Sequence, residues 1–134
     1  MTAAIRTQGL TKKYRRLTAL AGVDLDVQEG AIYALVGQNG AGKTTAIKIL
    51  MNLIGATQGV AKVLGTDSRK IRGKFYNQVG YVSENQTIPE WMKIGVLLDY
   101  LRGFYPTWDS VLERSLIKQF DLPWIGKSKA FLAE

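Results

Sequence analysis

Residues 37–44 read Gly-Gln-Asn-Gly-Ala-Gly-Lys-Thr, which satisfies the pattern G-x-x-x-x-G-K-[ST] at every fixed position. Such a loop works only where a strand feeds into a helix, so eight residues dictate a local α/β unit. Gly37, Gly40 and Gly42 let the backbone wrap a phosphate chain with its N–H groups turned inward. Lys43 brings a point positive charge to the β- and γ-phosphates, and the Thr44 hydroxyl is a ligand for Mg²⁺. The ligand class is therefore a nucleoside triphosphate with Mg²⁺. The flanks supply the required context. Residues 31–36, Ala-Ile-Tyr-Ala-Leu-Val, are a short apolar run predicted as a buried strand. Residues 44–53 follow as a predicted helix, with Ile47, Leu50, Met51 and Ile54 at helical spacing. Its N-terminus would add the positive end of the helix dipole.

At 134 residues there is room for one ordinary domain. With 46% hydrophobic and 22% charged residues, the composition is globular. No apolar run reaches the length of a bilayer span, and the N-terminus shows no signal-peptide core. There is no cysteine, which excludes disulfides and thiolate metal sites and suits the cytosol. There is no histidine either, so no imidazole base, switch or ligand exists in these residues. The net charge of +7 suits nucleic acid, an anionic membrane surface or phosphate ligands. The charges are scattered except for Lys12-Lys13-Tyr14-Arg15-Arg16, which also reads as a solvated turn between strands.

Along the chain, residues 5–10 and 20–27 read as strands, the second alternating Val23, Leu25 and Val27 with Asp24 and Asp26. Gln28-Glu29-Gly30 is a tight turn, and residues 55–59 are a loop. Residues 60–64 form a short predicted strand. Thr66, Asp67 or Ser68 would cap a brief helix over 69–76, and residues 79–83 read as another short strand. Beyond Trp91 the period turns helical: Ile94, Leu97, Leu98, Leu101 and Tyr105 share one face. Pro106 breaks that helix, Thr107 or Asp109 caps the next, and Val111, Leu112, Ser115, Leu116 and Phe120 mark it to the stop at Asp121-Leu122-Pro123. One competing reading takes residues 95–99 as a strand. Asp99 would then be the Mg²⁺-holding carboxylate of a small self-contained P-loop NTPase or kinase. The helical spacing that continues through Leu101 and Tyr105 argues against it.

With these residues in view, the chain resembles the nucleotide-binding subunit of an ABC transporter, in particular the bacterial ABC-2-type export branch. The resemblance runs from Ile5 to about Lys127. It is carried by Gly9-Leu10-Thr11-Lys12-Lys13-Tyr14, by residues 19–25 and by the loop through Thr45. Further on it takes in Met51-Asn52-Leu53-Ile54 leading to Gly59, residues 79–84, and Gly103-Phe104-Tyr105-Pro106-Thr107-Trp108-Asp109. The implied fold class is α/β of the P-loop NTPase type, a RecA-like core with an antiparallel β subdomain. It is incomplete here, with residues 1–89 as a partial ATP-binding core and 90–134 as the start of a helical subdomain. The resemblance gives Tyr14, 29 residues before Lys43, the role of the ring that stacks on adenine. A partly buried turn tyrosine is the plainer alternative. The resemblance makes Asn39, Gly40, Ala41, Gly42, Lys43, Thr44 and Thr45 the phosphate cradle, with Thr45 on the α-phosphate. It puts Glu84 where the family often has a glutamine near Mg²⁺ and the attacking water, a departure that changes a neutral contact into a charged one.

The implied ligands are ATP and Mg²⁺. The implied partners are a transmembrane permease subunit and, in a full-length protein, a second nucleotide-binding subunit; nucleic acid is not among them. The implied location is peripheral, at the cytoplasmic face of the membrane. In this reading the signature glycine motif, the second acidic strand, the catalytic glutamate and the switch histidine belong beyond these residues. The chain is then expected to bind nucleotide with weak or no hydrolysis and to be marginally stable. A non-catalytic nucleotide-binding interaction module is the remaining alternative.

Overall fold

The first elements are two long strands, β1 (Ala3–Tyr14) and β2 (Leu17–Gln28), paired antiparallel. The predicted strands over 5–10 and 20–27 are the middles of these. Arg15 turns the hairpin with φ 44. β3 (Gln58–Val63) pairs antiparallel with the other edge of β1, and β4 (Thr66–Asp67) with β3, giving the order β2-β1-β3-β4. The computed structural model describes residues 3–83, 88–89 and 91–123. The chain divides into two compact units, Met1–Phe75 and Tyr76–Glu134.

In the first unit, α1 (Lys43–Leu50) contacts β2 and β3 and buries Ala46, Ile49 and Leu50. The buried stripe is thus shifted from the predicted one, because Ile47 faces outward. With Leu10, Leu20, Val27, Ala61, Val63 and Ile71 these side chains form the core. Two buried threonines settle the polar groups that the irregular β1–β2 register leaves open. Thr7 Oγ1 donates to Val23 O and accepts from Leu25 N, both at 2.8 Å. Thr11 Oγ1 donates to Gly9 O at 3.1 Å and accepts from Gly22 N at 3.0 Å. α1 ends in a left-handed Asn52 (φ 53), and Leu53 N returns to Lys48 O at 2.8 Å, a Schellman closure. The brief helix expected over 69–76 resolves into two 3₁₀ segments, Ser68–Lys70 and Gly73–Gln78. Asp67 caps the first as expected, bonding Arg69, and extended Ile71 (φ -66, ψ 119) breaks the helical path before the second begins at left-handed Gly73 (φ 55).

Two sequence expectations fail. Residues 31–36 and 79–83 are not strands. A strand exists through its ladder bonds, and among the described residues neither segment has a neighbouring strand to supply them. The apolar side chains follow suit: Ile32 is fully exposed and Val36 is 89% exposed.

In the second unit, α2 (Ile94–Arg102) and α3 (Ser110–Gln119) match the two helical patterns. Asp109 caps α3, accepting from Val111 N at 2.8 Å and Leu112 N at 3.0 Å, which holds its carboxyl below the ordinary value. The helices are clasped by Glu113, whose side chain is only 7% exposed. It accepts two 3.0 Å bonds from Arg102 Nη2 and one from Trp108 Nε1. Among the described residues no helix is long and apolar enough to cross a membrane.

Two predictions follow from packing and charge. Gly59 has φ +84, and a Cβ there would collide with the Gly9 carbonyl of β1. Gly59→Ala should therefore cost more than about 1–2 kcal/mol in denaturant unfolding followed by far-UV circular dichroism. Glu113 is held below its ordinary 4.5 by the Arg102 hydrogen bond, against burial, with Trp108 adding to the effect. Its contribution is complete above the unfolded-state value and lost as pH falls through the lower folded value. Protection factors of the α2 and α3 amides, corrected for the intrinsic pH dependence of exchange, should fall below about pH 4.5, and Glu113→Gln should flatten that dependence.

Candidate functional site

The glycine loop is built from the backbone outward. Gly40 and Gly42 lie at φ +87 and +89, in the left-handed region that side chains disfavour. Ala41 N donates to Gln38 O at 3.1 Å, closing the turn before the helix. Gly42 is the N-cap residue of α1 and has no side chain to bond the first-turn N–H groups; the helix ladder opens with Ala46 N to Gly42 O at 2.8 Å. Gly42 thus offers the first-turn amides no side-chain cap, and a helix start of that kind, with its dipole, suits an anion.

The loop is seated by the hairpin. Across β1 and β2 the register passes from Lys12↔Leu20 to Lys13↔Thr18, so Ala19 is an extra residue, a bulge. Gly42 packs against that bulge: a Cβ there would collide with Ala19 O and come within 2.7 Å of Leu20 Cδ2. Lys43 closes the other side. Its Nζ donates to Gly37 O at 2.6 Å and Gln38 O at 2.9 Å, which ties the ammonium across the loop mouth. An ammonium has three donors, so one remains for an incoming oxygen. No Asp or Glu occurs between Glu29 and Asp67, so no carboxylate from that stretch offsets the positive field of Lys43 and the helix end.

Of the sequence-assigned residues, Gly37, Asn39, Gly40, Ala41, Gly42, Lys43, Thr44 and Thr45 lie together on this loop and the first turn of α1. Thr44 and Thr45 are half-buried; Asn39 and Ala41 are exposed. Tyr14 ends β1, 45% exposed, on the same hairpin that carries the Ala19 bulge. Glu84 lies outside the described residues. The Asp99 alternative is overturned: Asp99 sits inside α2 and pairs with Arg102 at 3.2 Å, one helical turn on, so no strand end presents it to a metal. Among the described residues no group of three His, Cys, Asp or Glu side chains could hold a metal ion.

Sequence reasoning missed three contributors. The Ala19 bulge leaves no composition signal. Lys12 stands over the Tyr14 ring, with Nζ 4.9 Å from the ring centroid. Thr57 bonds the β1 backbone from the loop after α1, accepting from Lys13 N at 3.0 Å. The period-2 spacing of Lys12 and Tyr14 was the one available hint, since residues i and i+2 share a strand face.

Comparison with known proteins gives a consistent answer. The sequence profile of a family described as "ABC transporter" matches residues 20–121. The daunorubicin/doxorubicin resistance ATP-binding protein DrrA of Streptomyces peucetius is 36% identical over 129 residues, covering 90% of this chain and 38% of that protein. The bacitracin transport ATP-binding protein BcrA of Enterococcus faecalis is 39% identical over 84 residues, covering 63% of this chain and 27% of that protein. A solved structure of the ATP binding subunit of an ABC transporter superposes with a TM-score of 0.80 at 24% identity, over 94% of this chain and 55% of that one. That likeness shows the fold, and the family match over residues 20–121 makes it a partial ABC ATPase domain, of the P-loop NTPase class. The chain spans well under half the length of these two curated relatives.

The seat of the loop is directly testable. Gly42→Ala forces a Cβ into the Ala19 carbonyl and a side chain into positive φ. Triphosphate affinity should fall roughly tenfold or more by titration calorimetry, since about 1–2 kcal/mol of backbone strain would fall on the binding-competent loop. Unchanged affinity would refute the seat.

Proposed function

The chain belongs to the ABC transporter family, and we propose that it is the N-terminal portion of an ATP-binding subunit, one that holds MgATP on behalf of an export system. The observation that carries this reading is the seated loop: left-handed Gly40 and Gly42, Lys43 bridging Gly37 and Gln38, and the uncapped start of α1. Backbone N–H groups of the loop bind the phosphate chain. Lys43 neutralises the β- and γ-phosphates, and Thr45 reaches the α-phosphate. Thr44 ligates Mg²⁺, which clamps the phosphate oxygens and offsets their charge. The Tyr14 ring stacks on adenine.

Binding and hydrolysis separate in this proposal. Phosphoryl transfer to water needs a group that orients and deprotonates the water. This sequence has no histidine, and no carboxylate lies between Glu29 and Asp67. Glu84 is the proposed contributor near Mg²⁺ and water. Residues 1–89 serve as the partial ATP-binding core and 90–134 as the start of the helical subdomain that meets a membrane permease. The complete protein would act as a paired ATPase at the cytoplasmic face of the membrane. Exposed Ile32, Val36 and Val82 fit this reading as the faces that further strands of the domain cover.

Calorimetry with MgATP should show saturable one-site binding, with phosphate release indistinguishable from a protein-free control. Lys43→Ala should abolish the binding. An unchanged ATP affinity in that variant would sink the assignment, and rapid Mg²⁺-dependent turnover by the wild-type chain would sink the separation of binding from hydrolysis.

A further inference from the structure

Lys12 does more than add charge to the hairpin tip. Its Nζ sits 4.9 Å from the centre of the Tyr14 ring, over the ring face, and donates to Gly55 O at 2.6 Å. Gly55 belongs to the loop that leaves α1. Two more bonds fasten the same stretches: Thr57 N donates to Thr11 O at 2.8 Å, and Lys13 N donates to Thr57 Oγ1 at 3.0 Å. The ammonium is thereby fixed at both its ring contact and its backbone contact. A lysine held by one contact alone would keep its rotamer freedom and add little.

We infer that Lys12 is the positioning residue of the base platform: clamped to Gly55 O, it fixes the Tyr14 ring for a purine and ties that ring to the phosphate-loop helix. The inference rests on the adenine reading of Tyr14. The geometry supports a positioning role on three grounds. Lys12 and Tyr14 are i and i+2 on β1, so they share a strand face without any turn to distort. The register across 12–14 runs Lys12↔Leu20, Lys13↔Thr18, Tyr14↔Leu17, so the extra residue, Ala19, is on β2 and the β1 backbone is continuous there. The ring is 45% exposed, which leaves it surface for a stacking partner while the ammonium restrains it. A cation over a ring and a base against that ring are both attracted by its π-system, so the three groups form one stack. The far end of that stack is Gly55, a few residues beyond the Leu53 closure of α1, whose first turn opens on the glycine loop. Base and phosphate subsites are therefore linked through one helix.

The test separates base from phosphate. ATP and inorganic tripolyphosphate are titrated into wild-type chain, Lys12→Met, Lys12→Arg, Tyr14→Leu and the double variant Lys12→Met/Tyr14→Leu, with circular dichroism as a check on folding. Lys12→Met keeps the stem and removes the cation. It should weaken ATP about two- to fivefold, the range of an exposed cation–ring contact, and leave tripolyphosphate unchanged. Lys12→Arg should restore ATP affinity. In the Tyr14→Leu background Lys12→Met should have no further effect. Equal losses for ATP and tripolyphosphate in Lys12→Met would mean general damage and overturn the role. A Tyr14-dependent preference for ATP that Lys12→Met leaves intact would overturn Lys12 alone. No preference for ATP over tripolyphosphate in the wild type would overturn the adenine reading beneath it.

Discussion

The contact between Gly42 and the Ala19 bulge holds the site together. A glycine loop has no fixed shape of its own, because each glycine adds conformational freedom that binding must remove. Here Gly42 is packed in place without any ligand. The bulge pushes the Ala19 carbonyl and the Leu20 side chain into the space a Cβ would need, so only a left-handed glycine fits. Lys43 then staples the loop from above through Gly37 O and Gln38 O. The first turn of α1 is aimed by this packing, and Ala46, Ile49 and Leu50 hold the aim by burying against the sheet. The antiparallel sheet is thus the support of the proposed phosphate site, although none of the proposed phosphate-binding residues belongs to it.

That arrangement explains which parts of the site were legible in the sequence. The loop was legible because the chemistry of phosphate binding demands glycines at set positions and a lysine beside them. α2 and α3 were legible because helical bonds are local, so the period of Ile94, Leu97, Leu98 and Leu101 is sufficient evidence. The same locality settles Asp99: a helix places it within reach of Arg102 at i+3, and the pair forms. The Asp109 cap was readable for the same reason. The bulge at Ala19 was not, since it depends on the offset between two strands and no single residue encodes it. Lys12 was hidden differently. Inside Lys12-Lys13-Tyr14-Arg15-Arg16 every cation looks alike, and only the strand face and the reach to Gly55 O distinguish one of them.

The misread segments teach the complementary lesson. Residues 31–36 have the composition of a buried strand, and composition is what sequence reasoning reads. Whether they are a strand is decided by neighbours, because each extended residue offers an N–H and a C=O that only another strand can pair in register. β1 has such neighbours on both edges and runs straight through residues that its own pattern would have excluded. Ile32 and Val36 have none among the described residues, and they lie open to solvent with their strand propensity unused. Propensity therefore measured what these residues would do beside a partner.

The same logic bears on how binding and chemistry divide in this fold. The groups proposed to hold phosphate are local in sequence: one loop, one helix turn and one lysine, all within residues 37–45. Groups that activate water must approach from the far side of the γ-phosphate, and a loop wrapped around the near side cannot supply them. A segment of an ABC ATPase domain can thus contain a complete phosphate cradle and still be chemically silent. The seating of Gly42 by Ala19 works within Met1–Phe75, using contacts that close inside that unit. In the proposed function nucleotide capture is accordingly assigned to the hairpin, the loop and α1, elements that pack together within that unit.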